Sequence, residues 1–211
     1  MEGKTQRGRL IVFEGIDGAG KTTQIELLCA ALAKQGRRVY RTAEPTESVT
    51  GGLLRDALSG ISKRTACEMA ALFTLDRIFH NVNPASGIER MLSDGVDVIC
   101  DRYYYSSMAY QGSETDFSWV KEMNLSCPEI RTPDVCFFLD LTPAQSMARI
   151  NRGRLTQEIY ENEEKLEAVR QSFYRVFEEL KGERIEIIDA YRSVEEIHGE
   201  ILEKTLSLLE F

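Results

Sequence analysis

The sequence is poor in the residues from which metal centres and disulfide frameworks are built. It has two histidines and five cysteines, and the cysteines show no C-x-x-C or other ligand spacing. His80 and His198 lie far apart in the chain, with no ligand partner near either of them. An odd number of widely separated cysteines is typical of reduced thiols, so we expect a cytoplasmic protein.

The sequence also lacks excess positive charge and long apolar runs. Its net charge is −8, which argues against nucleic acid or an anionic membrane as a partner. No apolar stretch approaches membrane-spanning length, and the polar segment Met1–Gly8 does not resemble a signal peptide. With 43% apolar residues in 211, we expect a single globular domain spanning 1–211, with a small lid.

A complete phosphate-binding loop follows the first apolar run of the chain. The loop reads Gly15-Ile16-Asp17-Gly18-Ala19-Gly20-Lys21-Thr22 and matches G-x-x-x-x-G-K-[ST]. Its glycines let backbone N–H groups converge on phosphate oxygens, and the following helix directs its positive end at them. Lys21 is expected to reach the β- and γ-phosphates of ATP, and Thr22 to ligate Mg²⁺. We extend the predicted ATP-binding segment to Thr23.

Strand and helix patterns alternate along the chain, which predicts a parallel sheet covered by helices on both faces. Five apolar runs read as strands: 10–14, 38–42, 96–100, 134–141 and 184–188. Amphipathic periodicity predicts helices over 22–34, 53–58, 66–81, 84–94, 143–150, 163–181 and 194–209. The predicted fold is therefore α/β, a three-layer P-loop NTPase fold with a five-stranded parallel sheet.

Ligands of such sheets bind beyond the carboxyl ends of the strands. Asp101 follows the third predicted strand, where P-loop enzymes place a carboxylate that holds Mg²⁺. An aspartate that merely ends a strand is the alternative. Arg102 comes next, and a guanidinium there can grip a phosphate with two hydrogen bonds.

The segment after that strand resembles the thymidylate kinase signature D-R-[YH]-x-x-S-x-x-A-Y-Q. It reads Asp101-Arg102-Tyr103-Tyr104-Tyr105-Ser106-Ser107-Met108-Ala109-Tyr110-Gln111. Weaker matches occur in the same order as in the family: 13–17, 72–77, 133–143 and 188–190. The resemblance spans residues 10 to about 205.

The resemblance implies a role for each matching side chain. Asp17 would accept a hydrogen bond from the 3′-hydroxyl, Arg102 would bind the acceptor phosphate, and Arg77 would donate to a base carbonyl. The other implied substrate-binding residues are Phe73 stacking on thymine, Ser107 and Gln111 reading its edge, Tyr110 packing near the deoxyribose and Tyr160 closing over the nucleotide. Phe73 also lies on an apolar helical stripe, so a core position is the alternative from pattern alone.

Three arginines beside a glycine predict a short mobile lid at about 149–161 that carries catalytic positive charge. They are Arg149, Arg152 and Arg154, and the alternative is a solvated helix end. The segment departs from the family, because Ile159 stands where the lid sequence often has arginine. Gly18 likewise replaces an arginine that some members carry in the P-loop, and Ala43 replaces the arginine of R-E-P. The pattern does not choose among the three lid arginines.

The predicted reaction moves the γ-phosphoryl group of ATP to dTMP, with Mg²⁺, in a nucleoside monophosphate kinase-like domain. The family resemblance also implies a homodimer. A deoxynucleoside kinase, with Glu44 as base toward a hydroxyl, is the nearest alternative. A guanine-specific switch protein would carry N/T-K-x-D, and the sequence has no such element.

Overall fold

The structure is a computed structural model that describes residues 6–153 and 163–209, with residues 150–153 described by their backbone alone. Its sheet has five strands: β1 Leu10–Glu14, β2 Val39–Ala43, β3 Asp97–Asp101, β4 Val135–Asp140 and β5 Ile185–Asp189. Their order is β2-β3-β1-β4-β5, and every neighbouring pair is parallel. The α/β fold with a five-stranded parallel sheet is confirmed, and each strand lies within one or two residues of its predicted bounds.

Helices cover both faces of this sheet. Those in the described residues are α1 Lys21–Lys34, α2 Val49–Leu58, α3 Ala66–Val82, α4 Ile88–Ser93, α5 Tyr104–Glu114, α6 Phe117–Leu125, α7 Pro143–Gly153, α8 Glu163–Glu179 and α9 Val194–Leu209. Within the described parts of the chain, no helix is long and apolar enough to cross a membrane.

Side chains of the central strands alternate between two apolar cores, as strand geometry requires. Leu10 and Val12 of β1 belong to the core beneath α3, α4, α5 and α8. Ile11 and Phe13 belong to the core beneath α1 and α9. Because β1 is buried on both faces, its sequence is a continuous apolar run rather than an alternating one.

The helical predictions needed correction at four helices. The sequence reading did not predict α5 or α6, and it began α2 four residues late. The helix predicted from Pro84 begins at Ile88 instead, because the Asn83 side chain accepts hydrogen bonds from the backbone N–H groups of Ala85 and Ser86 and forms a turn.

The parallel register brings the ends of β1, β3 and β2 side by side. Phe13 pairs with Asp101, and Asp101 pairs with Ala43 on its other side. The residues that follow these strands are Glu14 and the P-loop, Arg102, and Glu44. The sheet therefore gathers them at one edge, where the candidate site lies.

Candidate functional site

The P-loop connects β1 to α1 as the motif predicts. Gly15 has φ +143°, and a Cβ there would lie 2.8 Å from the carbonyl oxygen of Leu139. Gly20 has φ +96° and precedes the first helical residue, Lys21. Both positions favour glycine because other residues rarely adopt such backbone angles. The loop can therefore turn its N–H groups inward, as phosphate binding needs.

Lys21 lies inside this loop rather than in solvent. Its Nζ donates to the carbonyl oxygens of Gly15 at 3.0 Å and Ile16 at 3.4 Å. Burial lowers the pKa of Lys21 below its ordinary value, and the nearby charge of Arg102 lowers it further. A negatively charged group in the loop would offset both effects, which favours a polyphosphate ligand.

Arg102 adopts a left-handed backbone conformation, with φ +68°, directly after β3. Its backbone N–H donates to the Phe13 carbonyl at 2.9 Å, which ties it to the neighbouring strand. Its guanidinium donates to Asp17 at 2.6 Å and to Ser106 at 3.1 Å, and lies over the ring of Tyr110. An outlying φ of this kind persists only where surrounding contacts hold it, and such residues cluster at functional sites.

Glu14 supplies part of that support from the end of β1. It is fully buried and accepts hydrogen bonds from the backbone N–H groups of Tyr103 and Ser106, at 2.9 and 3.1 Å. The Ser106 hydroxyl donates to it at 2.6 Å and accepts from Arg102. Glu14 therefore caps the first turn of α5 from another element. Burial raises its pKa, opposed by the charge of Arg102.

Two adjoining cavities open at this edge of the sheet. The first, which we call the P-loop cavity, has a volume of about 450 Å³. It is lined by Asp17, Gly18, Gly20, Lys21, Thr22, Ala43, Glu44, Asp101, Arg102 and Arg149. The P-loop and Asp101 therefore face one space, as predicted.

The Asp101 carboxylate is suited to a cation at this place. Its Oδ1 is buried and has no hydrogen-bond partner within the described residues. The same residues contain no cluster of three histidine, cysteine or acid side chains that could hold a metal by itself. Asp101 and Thr22 line one cavity, so they could share a Mg²⁺ whose other ligands come from phosphates and water.

The second cavity, which we call the nucleotide cavity, has a volume of about 230 Å³. It is lined by Asp17, Glu44, Pro45, Leu58, Phe73, Arg77, Arg102, Tyr103, Ser106, Ser107, Tyr110 and Gln111. These include every predicted substrate-binding residue except Tyr160, which lies outside the described residues. Asp17, Glu44 and Arg102 line both cavities.

Phe73 lies on the wall of the nucleotide cavity and not in the core. It is half-buried, and neither apolar core contains it. The structure therefore favours its reading as a ring that faces a ligand. Of the three consecutive tyrosines, Tyr103 alone lines this cavity, whereas Tyr104 and Tyr105 donate to Glu183.

Arg77 is held in place by groups from several elements. Its Nε donates to Glu44 at 2.9 Å, its Nη2 to Ser107 at 3.1 Å and its Nη1 to Asn124. Its guanidinium also lies over the ring of Tyr103. The side chain is 1% exposed, and its buried charge is paired with the Glu44 carboxylate at 2.6 Å.

Glu44 does not have the surroundings of a general base. Its Oε2 accepts from Arg77, and its Oε1 lies 3.0 Å from Nδ1 of His80. Nε2 of His80 in turn lies 2.7 Å from the Thr42 hydroxyl. Because both carboxylate oxygens are engaged, Glu44 anchors Arg77, and the deoxynucleoside kinase alternative is not favoured.

The loop that carries Glu44 and Pro45 is fastened to α3 by Asp76. The buried carboxylate accepts from the backbone N–H and hydroxyl of Thr46, at 2.7 and 2.6 Å. The hydroxyls of Ser48 and Thr50 donate to it at 2.8 and 2.7 Å. Burial alone would raise the pKa of Asp76, but these hydrogen bonds outweigh it and lower the pKa.

Of the three lid arginines, Arg149 has a described side chain. Its Nη2 donates to the carbonyl oxygen of Ala190 at 2.8 Å, and it lines the P-loop cavity near Gly20. The Arg152 side chain, Arg154 and most of the predicted lid, 154–162, lie outside the described residues. The choice among the three therefore stays a prediction.

Comparison with known proteins gives a consistent assignment. The family model described as thymidylate kinase matches residues 13–201. A probable thymidylate kinase of Pyrococcus horikoshii is 39% identical over 93% of this chain and 95% of its own. The thymidylate kinase of Desulfotalea psychrophila is 35% identical over 96% of each chain. The putative thymidylate kinase of Treponema pallidum is 33% identical, over 91% of this chain and 92% of its own.

Proposed function

The chain belongs to the thymidylate kinase family, and we propose that it transfers the γ-phosphoryl group of ATP to the phosphate of dTMP, giving dTDP and ADP. The observation that carries this proposal is the pair of adjoining cavities. One contains the P-loop, the other contains Phe73 and Arg77, and they share Asp17, Glu44 and Arg102. Such a site suits a reaction between two nucleotides whose phosphates meet at the shared wall.

The P-loop cavity would hold ATP. Lys21 and the inward-facing loop support this assignment, because they offer positive charge and N–H donors to the phosphates. Mg²⁺ bound to the phosphates would neutralise charge as it develops in transfer, and Asp101 and Thr22 are the residues suited to hold it. Arg149 lies beside the loop and could contact the same ligand.

The nucleotide cavity would hold dTMP. Phe73 offers a ring face for stacking, while Arg77, Ser107 and Gln111 offer polar groups to the edge of the base. Arg102 would bind the acceptor phosphate, and Asp17 beside it would accept from the 3′-hydroxyl. The Arg102–Asp17 pair at 2.6 Å supports both roles, because it places the two side chains together between the cavities.

The acceptor phosphate does not require a strong general base. The second pKa of a phosphate monoester is about 6, so the nucleophilic oxygen is already anionic near neutral pH. The difficulty is to bring two anions together in line, which Lys21, Arg102 and the lid arginines would ease by charge and placement. Arg149, Arg152 and Arg154 are the candidates for the lid contribution, with Tyr160 closing over the nucleotide.

We propose further that the chain forms a homodimer through α3. Leu75, Phe79 and Val82 are 52%, 44% and 43% exposed and lie at helical spacing along one stripe of that helix. An apolar stripe of this kind is suited to pack against a second copy. Phe73 and Arg77 are on the same helix, so such an interface would also brace the nucleotide cavity.

A substrate screen tests the proposed function. The protein would be incubated with ATP, Mg²⁺ and each nucleoside monophosphate in turn, with ADP release measured by a coupled assay. We expect dTMP to have the highest kcat/KM and thymidine to be inert. A preference for thymidine, or for a purine monophosphate, would contradict the proposal.

A further inference from the structure

Helix α6 contributes one buried side chain that holds Arg77 from outside the nucleotide cavity. Asn124 is 1% exposed and does not line the cavity. Its Nδ2 donates to the Val120 carbonyl one turn earlier, at 2.8 Å, and its Oδ1 accepts from Nη1 of Arg77. The bond to Val120 fixes which end of the amide faces the arginine, so Asn124 presents an acceptor there.

Every nitrogen of the Arg77 guanidinium has a protein partner, and Nη2 has two because it also lies 2.6 Å from the Glu44 carboxylate. Glu44 accepts from Nε, Ser107 from Nη2 and Asn124 from Nη1. These three contacts come from three parts of the chain, and together they fix both the position and the plane of the group. Without Asn124 the Nη1 end of the guanidinium would lose this contact, and Glu44 and Ser107 would hold the group from the other side alone.

The contact to Asn124 also decides what Nη1 can offer a ligand. A terminal guanidinium nitrogen carries two N–H groups, and Asn124 takes one. Among the described residues no contact to the second is found, and Arg77 lines the nucleotide cavity, so this N–H could donate to a ligand there. Thymine has a carbonyl oxygen at the ring position where cytosine has an amino group, so a fixed donor accepts the first base and rejects the second.

We propose that Asn124 is a positioning residue for base selection, which holds Arg77 so that it favours pyrimidines with a 4-carbonyl over cytosine. This inference rests on the proposed function, in which Arg77 contacts the base. It predicts that loss of Asn124 weakens binding of dTMP and dUMP but not that of dCMP, because only the first two use the donor.

The test compares Asn124→Leu, which removes the acceptor, with Asn124→Asp, which keeps an oxygen facing Nη1 but loses the donor to the Val120 carbonyl. Losing a hydrogen bond to a charged group should raise KM for dTMP and dUMP about tenfold in the leucine variant. The kcat, the KM for ATP and the kcat/KM for dCMP should stay near their wild-type values. The aspartate variant should restore KM toward the wild-type value.

The controls separate this role from a general loss of structure. Glu122→Gln makes a small change on the exposed side of the same helix and should leave every constant unchanged. Asn124→Ser, whose hydroxyl is too short to reach Nη1, replaces the leucine variant if that protein does not fold. Equal losses for dTMP and dCMP would overturn the inference, and so would an aspartate variant that melts like the wild type but shows no rescue. A wild-type protein inactive on dTMP would instead refute the proposed function itself.

Discussion

Asp76 offers the sharpest test of how the nucleotide cavity is built. Its Oδ1 accepts from three hydroxyls, those of Thr46, Ser48 and Thr50, and its Oδ2 accepts from the Thr46 backbone N–H. In Asp76→Asn the amide oxygen can still accept from the N–H, while at most two of the three hydroxyls can rotate to accept from the two N–H groups of the amide nitrogen. The asparagine variant therefore loses the benefit of the charge and at least one hydroxyl contact, but keeps the other contacts.

The two substitutions at this position should differ in magnitude. Hydrogen bonds to a charged group contribute about 1.5–3 kcal/mol, so we expect Asp76→Asn to lower the free energy of unfolding by about 1–3 kcal/mol. Asp76→Ala also leaves the buried Thr46 N–H without a partner and should cost about 3–5 kcal/mol. Urea denaturation at pH 7 measures both values. Asp56→Asn, an exposed change on α2, is the matched control and should have little effect.

The pH dependence of stability gives a second readout of the same contacts. The pKa of Asp76 is lowered from its ordinary 3.8, so its contribution is fully present above that value and is lost as pH falls through the lower, folded-state pKa. The wild-type protein should therefore lose more stability than Asp76→Asn on acidification below about pH 5. If the free energies of unfolding of the two proteins fell in parallel as the pH is lowered, the role assigned to the Asp76 carboxylate would be refuted. Equal effects of asparagine and alanine at pH 7 would also refute it.

Three further predictions concern the catalytic contacts and the assembly. Arg102→Ala should lower kcat about 100-fold or more while KM for ATP changes little, because the side chain lines the nucleotide cavity and would bind the acceptor phosphate. Equal losses in both would contradict that role. Glu14→Gln keeps one acceptor for the first turn of α5 but loses the negative charge, and it should lower kcat about tenfold. The melting profile of the ATP-bound protein should be unchanged. A wild-type kcat would show that the position of Arg102 does not depend on the Glu14 carboxylate. Phe79→Arg should convert a dimer to monomers in light scattering, and a monomeric wild-type protein would refute the proposed interface.

The sheet and the P-loop were predictable because their signals are local. An apolar run followed by a glycine-rich loop and a helix specifies β1, the loop and α1 within about 25 residues of chain. Helix α5 was missed because its tyrosines and serines are poor helix formers in isolation. It is stabilised by burial of Tyr105, Met108 and Ala109 and by the cap from Glu14, which is distant in sequence.

Helices α2 and α6 did carry local signals that the sequence reading overlooked. Asp116 accepts from the backbone N–H of Trp119 at 2.7 Å and caps α6, and Ser48 caps α2 in the same way. Two glycines obscured the start of α2. A Cβ at Gly51 would lie 1.8 Å from the Thr46 carbonyl oxygen, so the glycine is required there by close packing.

The site was predictable to the extent that it belongs to a motif. Phe73, Arg77 and Gln111 were found through family resemblance, and the structure brings them to one cavity. The residues that hold them were not found. Glu14 and Asn124 form hydrogen bonds with residues 47 or more positions away in the sequence. The residue pattern of a single helix or strand does not predict such contacts.

The ion pair between Asp17 and Arg102 has a thermodynamic consequence for substrate binding. Both side chains belong to the walls of both cavities, so a ligand that displaces or reinforces the pair from one side alters the surface met by a ligand on the other. Such coupling is reciprocal: the factor by which the first nucleotide changes the affinity for the second equals the factor by which the second changes the affinity for the first. With ATP and dTMP bound as proposed, the two substrates would be linked by a shared free energy before any phosphoryl group moves.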